Sequence, residues 1–209
     1  MATVIKSTIL SRWTTDLFVR NDNSLPVVGF NQLRFELCGD LYCPQVIAAN
    51  ATVAVKPNPA QASGYLFRPA RVLAPNLHFS ARVRNALDPN DGGAELPIVR
   101  DSGFHRGGVV FPQVPLRSGA RATLRVYVLD TPEQFSGPGV AVLVNGTFAK
   151  SPVLQPPLNY NDPWRGSVDV AGTAPVEVRV LAHPFARVWA FVSVTDNVSQ
   201  RVTLVTPNE

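Results

Sequence analysis

The sequence predicts an all-β protein built as two tandem immunoglobulin-like antiparallel β-sandwiches, spanning residues 1–112 and 113–209. Three observations lead there. Apolar and polar residues alternate in many short runs, the period at which a strand buries one face. Clusters of turn-forming residues separate the runs, and no stretch keeps the 3.6-residue period of an amphipathic helix. Without helices between strands, a parallel sheet has no crossovers, which leaves a sandwich or barrel.

In chain order, the alternating runs cover residues 16–20, 33–37, 51–55 and 79–83, then 123–129, 176–180 and 188–194. Breakers lie between them at 21–24, 56–59, 88–93, 136–139 and 159–163, each rich in Asn, Asp, Gly, Ser or Pro. These residues accept positive φ or fix a turn. The 19 prolines and 14 glycines are dispersed rather than periodic, and with 45% apolar residues the chain has the composition of a packed protein. A length of 209 residues suits two domains of about 100 residues, each able to bury its own core.

Self-comparison supports the doubling. A shift of 107 positions aligns Leu17 with Leu124, Val19 with Val126, and the run 33–37 with 140–144, without a gap. A shift of 112 brings Phe79-Ser80-Ala81-Arg82-Val83 onto Phe191-Val192-Ser193-Val194-Thr195. A five-residue insertion reconciles the two shifts. The prolines of Phe111-Pro112-Gln113-Val114-Pro115 suit a stiff, extended joint between the copies.

Charge excludes one class of partner and hydropathy another. The net charge is +4, but the arginines, among them Arg20, Arg34, Arg82, Arg84, Arg125 and Arg179, stand singly along strands. A nucleic-acid surface needs them clustered beside aromatics. No apolar run reaches membrane-spanning length, so no membrane span is expected. The start, Met1-Ala2-Thr3-Val4-Ile5-Lys6, lacks the layout of a signal peptide. Either the protein is not secreted or this is a mature segment with an added start codon, and the second is the expectation.

The C-terminal stretch Val176-Glu177-Val178-Arg179-Val180-Leu181, then Arg187-Val188-Trp189-Ala190-Phe191-Val192-Ser193-Val194-Thr195-Asp196-Asn197, ends in Thr203-Leu204-Val205-Thr206-Pro207. It resembles the closing hairpin of tandem immunoglobulin-like modules of uncharacterised secreted bacterial proteins. A Thr-Asp-Leu strand, here Thr15-Asp16-Leu17, opens the first copy in those modules. The resemblance extends over most of the chain and implies export and a non-catalytic accessory or surface role. It supplies no catalytic residues. The segment 101–116 and the cysteine loop depart from the pattern, which leaves room for a specialised partner.

Cys38 and Cys43 are the only cysteines. Four intervening residues suit a disulfide across a loop, with two free thiols as the alternative, whereas two thiols cannot complete a structural zinc site. Asp88, Asn90 and Asp91 ahead of Gly92 make a partial calcium loop without its distal glutamate, and a hairpin turn is the simpler reading. Asp101, Ser102 and His105 supply the residue types of a catalytic triad, but they lie too close along one glycine-containing loop to adopt its geometry. His78 and His183 read as structural, and the glutamates form no glycosidase-like pair. Asn50, Asn145 and Asn197 open glycosylation-type triplets, which a bacterial source leaves bare. No cofactor is expected.

The strongest surface candidate is Tyr160, Asn161, Asp162, Trp164 and Arg165. Flat aromatic faces beside polar groups suit either a sugar ring or a protein anchor. Trp189, which alternates with Phe191, is read instead as core. The leading expectation is an extracellular or cell-surface protein that binds protein or carbohydrate, or self-associates. A virion or capsid-like subunit is the alternative, and a hydrolase the third.

Overall fold

The computed structural model describes residues 13–29, 45–55, 76–88, 90–129, 138–156 and 163–208. These residues form an all-β protein in which every strand pairing is antiparallel. The chain divides into two compact units, Met1–Ile98 and Val99–Glu209.

In the first unit, strands β1 (Trp13–Asn21), β4 (Thr52–Val55), β5 (Leu77–Asn85) and β6 (Ala94–Glu95) form one sheet in the order β4-β1-β5-β6. Strands β2 (Val27–Gly29) and β3 (Gln45–Ile47) pair separately. The alternation of β5 is realised directly: Leu77, Ala81 and Val83 are buried, while His78, Ser80 and Arg82 face water. Val19 of β1 lies opposite Phe79 on the buried face. The run 33–37, with Cys38 and Cys43, lies outside the described residues.

The second unit places two sheets over one apolar core. After a 3-10 turn at Asp101–Gly103 come β7 (His105–Arg106), β8 (Gly108–Val114), β9 (Ala120–Leu129), β10 (Val140–Val144) and β11 (Thr147–Lys150). They are followed by β12 (Trp164–Val170), β13 (Val176–Ala182), β14 (Arg187–Asp196) and β15 (Val202–Val205). One sheet runs β11-β10-β13-β8 and the other β12-β9-β14-β15, with β7 beside β14. Phe111 and Val114 from β8, Val142 from β10, and Val178 and Val180 from β13 meet Leu124, Val126 and Val128 from β9 and Val188, Ala190 and Val192 from β14. Each buried valine or leucine contributes about 1.5–3 kcal/mol relative to exposure, so this core is the main stabilising element of the unit.

The division at Ile98 and Val99 differs from the joint expected at residues 111–115. Phe111 and Val114 are wholly buried in the second unit, and their strand β8 pairs along β13. The proline signal misleads there because β8 is the end strand of its sheet, where a residue without an N–H is tolerated.

One sheet of each unit shares its strand order, β4-β1-β5-β6 and β12-β9-β14-β15, but the second shift does not hold. Strands β1 and β9 correspond at 107 positions, and each pairs with a long later strand, β5 or β14. Leu17 pairs with Ala81, whereas Leu124 pairs with Val192, so β5 maps onto β14 at 111 positions rather than 112. A one-residue slip changes the face of every side chain. Phe79 therefore corresponds to Ala190, and its match with Phe191 is a coincidence of letters. By the same parity Trp189 is buried, but with Tyr127 and Phe191 on the side of its sheet turned away from the inter-sheet core. Both faces of β14 are covered.

Three strand edges of the second unit are blunted. Strand β11 has four residues, an irregularity in its pairing with β10, and Lys150 at its end. Strand β8 carries Pro112, and Asn208 N donates to Val110 O at 3.4 Å. Strand β12 exchanges hydrogen bonds with Gln155 through Arg165 (2.8 and 3.3 Å). Such features suppress open-ended strand pairing.

Candidate functional site

Among the described residues, those singled out from the sequence lie on separate elements. Tyr160, Asn161 and Asp162 lie outside the described residues. Trp164 is the first residue of β12, opposite buried Val128, and packs against the core. Arg165 follows on the same strand, so its side chain takes the opposite face, in register with Tyr127. Its Nε is buried without a hydrogen-bond partner. On the neighbouring strand β9, Arg125 donates to Ser193 Oγ at 2.7 Å and lies 5.6 Å from the Phe191 ring centroid. Burial lowers its pKa from the ordinary arginine value.

The acidic loop after β5 spends its oxygens on its own backbone. Asp91 accepts from Asn85 N at 2.7 Å and Gly93 N at 3.0 Å, and Asp88 accepts from Asn90 N at 2.9 Å. These bonds make it a hairpin turn. Among the described residues no three His, Cys, Asp or Glu side chains are grouped to hold a metal ion. Ser102 belongs to the 3-10 turn, while His105 opens β7 opposite Val188. The His183 and Phe185 rings meet at a tilt of 41°, centroids 5.3 Å apart, in the turn between β13 and β14.

The loop from β14 to β15 is a second self-contained polar cluster. Asp196 accepts from Ser199 N (2.7 Å), Val198 N (3.0 Å) and Ser199 Oγ (3.1 Å), and pairs with Arg117 at 2.8 Å. The Ser199 bonds, with the others, hold its pKa down from 3.8 to about 2. A depressed carboxylate stabilises the fold above its ordinary pKa, and that stability is lost as pH falls through about 2. Asp196→Asn is accordingly expected to flatten the acid side of the stability profile. Urea unfolding between pH 5 and pH 2 measures this, and an acid profile equal to that of the wild type would exclude the assignment.

What alternation alone leaves unmarked is the outward face of the β11-β10-β13-β8 sheet. Leu143 of β10 stands between Phe148 of β11 and Arg179 of β13, and Arg179 pairs with Val110 of β8. Leu181, two residues along β13, continues the face. Phe148 is 62% exposed, Leu181 44% and Val110 39%. An outward sheet face in water is normally polar. Its charges here are Glu177 and Arg179, joined through Arg179 Nε to Glu177 Oε1 at 2.7 Å and Nη2 to Oε2 at 3.2 Å. That hydrogen-bonded pairing lowers the pKa of Glu177 and raises that of Arg179, which keeps both ionised.

The β10–β11 turn fixes this face. Asn145 and Gly146 both have positive φ (49° and 78°), the pair a two-residue hairpin demands. Asn145 Oδ1 accepts from Glu177 N at 2.9 Å, and Asn145 N donates to Glu177 O at 3.0 Å. The hairpin that presents Phe148 is thereby tied to the strand that carries the charge pair.

Comparison with protein-family models, with curated proteins and with solved structures finds no match. No helix among the described residues is long and apolar enough to cross a membrane.

Proposed function

We propose that the chain is a non-catalytic interaction module that docks another protein on the outward face of the β11-β10-β13-β8 sheet. One observation carries this reading: Phe148, Leu181 and Val110 are exposed together on a face where water favours polar residues. Two tandem immunoglobulin-like sandwiches acting outside the cell are the setting that the C-terminal sequence resemblance supports. A sugar-binding role for Trp164 draws less support, because its ring packs against the core.

A combined protein and glycan array, probed with wild type, Phe148→Ser/Leu181→Ser and Trp164→Ala, tests the proposal. Protein signals are expected to fall about tenfold or more in the double variant, as removal of exposed apolar anchors at an interface does, and to persist in Trp164→Ala. Glycan signals lost only in Trp164→Ala would overturn it.

A further inference from the structure

The other sheet of the second unit, β12-β9-β14-β15, brings together on its outward face cations that stand singly in the sequence. Arg125 and Tyr127 of β9 lie opposite Ser167 and Arg165 of β12 on that face. Arg165 is thus the diagonal cross-strand neighbour of Arg125, about 7–8 Å away and within reach of a long side chain. Ser167, which is exposed, lies beside both. Neither cation is neutralised: among the described residues no carboxylate comes within ion-pair distance of Arg125 or Arg165, and Arg165 Nε is buried without a hydrogen-bond partner. Both side chains are half-buried, and polar groups withdrawn from water are as a rule paired. The acid on this face, Asp169, lies on the side of Arg125 away from Arg165, where it accepts from Thr123 Oγ1 at 3.1 Å. Arg125 is also held in place. Its Nη1 donates to Ser193 Oγ at 2.7 Å, Ser193 Oγ donates onward to Thr123 O at 3.3 Å, and the guanidinium lies 5.6 Å from the Phe191 ring centroid. A donor fixed in advance loses little freedom when a ligand arrives.

We propose that Arg125, Arg165 and Ser167 bind a phosphate group, at a site separate from the apolar face of the β11-β10-β13-β8 sheet. Two guanidiniums reach in from adjacent strands and a hydroxyl from beside them, so the donors come from different directions. That suits a tetrahedral oxyanion carrying close to two charges better than a flat carboxylate, which a single guanidinium fork satisfies. Tyr127 and Trp189, the aromatic residues in the same row as Arg165, are buried. They leave little ring face on which a base could stack, so the site takes the phosphate and not a nucleobase. A free phosphate ion and a phosphomonoester present the same oxygens to it.

Titration calorimetry and thermal unfolding of the full chain test this with inorganic phosphate, glycerol phosphate, acetate and chloride at equal ionic strength. The proteins are wild type, Arg125→Gln, Arg165→Gln and Arg121→Gln. Wild type is expected to bind phosphate and to unfold at a higher temperature in its presence. Arg125→Gln and Arg165→Gln each weaken binding by roughly tenfold or more, as loss of a hydrogen bond between charged groups does. Arg121, already bonded to Asn197 (2.7 Å) and Gln200 (3.0 Å), is the control, and its variant binds as wild type does. Glycerol phosphate bound as well as phosphate shows that the group is read as part of a larger ligand, whereas phosphate bound alone shows that the free ion is. Without phosphate, Arg165→Gln is expected to unfold no earlier than wild type, since it removes an unpaired charge; a purely structural arginine would instead leave a less stable protein and no response to phosphate. Chloride or acetate as effective as phosphate on wild type, or an equal phosphate effect in Arg165→Gln, overturns the proposal.

Discussion

Replacement of Gly108 by alanine is expected to destabilise the second unit by about 3 kcal/mol or more, because two costs fall on one residue. The first is conformational: φ at Gly108 is +149°, a region essentially reserved for glycine. The second is steric. A Cβ there would collide with the carbonyl oxygen of Val180 and lie 3.2 Å from Leu181 Cα, both backbone atoms of the paired strand β13. Neither can move without breaking the β8–β13 ladder. Gly107 supplies the control. Its φ is +75°, but a Cβ would meet nothing within 4 Å, so Gly107→Ala is expected to cost only about 1 kcal/mol. Together the two glycines form the corner by which the chain leaves β7, in one sheet, for β8, in the other. Urea unfolding followed by tryptophan fluorescence measures both variants; equal stabilities would refute the corner argument.

Asn21→Ala is expected to cost about 3 kcal/mol in the first unit, since buried polar groups left without partners cost about 1–3 kcal/mol each. Asn21 is 0% exposed. Its Nδ2 donates toward the carbonyls of Leu25 (3.0 Å), Ile47 (3.0 Å) and Ala48 (3.1 Å). Its Oδ1 accepts from Asn23 N at 3.0 Å and Asn23 Nδ2 at 2.8 Å, and Asn76 Nδ2 reaches Asn23 Oδ1 at 3.1 Å. One amide thus joins the end of β1 to the turn before β2 and to the end of β3. Asn21→Asp is expected to be worse than alanine, because an ionised carboxylate has no hydrogen to offer three carbonyls. Amide hydrogen exchange across residues 13–21 and 45–48 reads the loss of protection. An aspartate variant as protected as the wild type would remove this network from the account.

The strands were legible in the sequence because burial on one face imposes alternation, and the runs at 123–129, 176–180 and 188–194 fall within β9, β13 and β14. What alternation cannot say is which face meets which partner. Trp189 reads as core from the sequence and is buried, yet register places it on the side away from Val188 and Ala190. Asn21 reads as a turn breaker, and nothing local shows that its amide is enclosed by carbonyls from 26 residues away. Pro112 looked like a joint because a proline at a sheet end and a proline in a linker leave the same mark. The apolar face around Phe148 does leave a mark in the sequence: Asn145-Gly146 between apolar runs is a strong hairpin cue, and it sets the register that turns Phe148 outward. For Trp164, the loop composition ahead of it obscured that the strand had already begun.

The closed strand ends bear on how such a chain behaves when crowded. A polypeptide this rich in extended backbone, held at high local density, tends to merge with its neighbours main chain to main chain, a coupling blind to sequence and hard to reverse. Denying that route at β8, β11 and β12 leaves encounters along those edges to be decided by side chains. Specificity can then drift by substitution at a few outward positions while the hydrogen-bonded framework stays as it is.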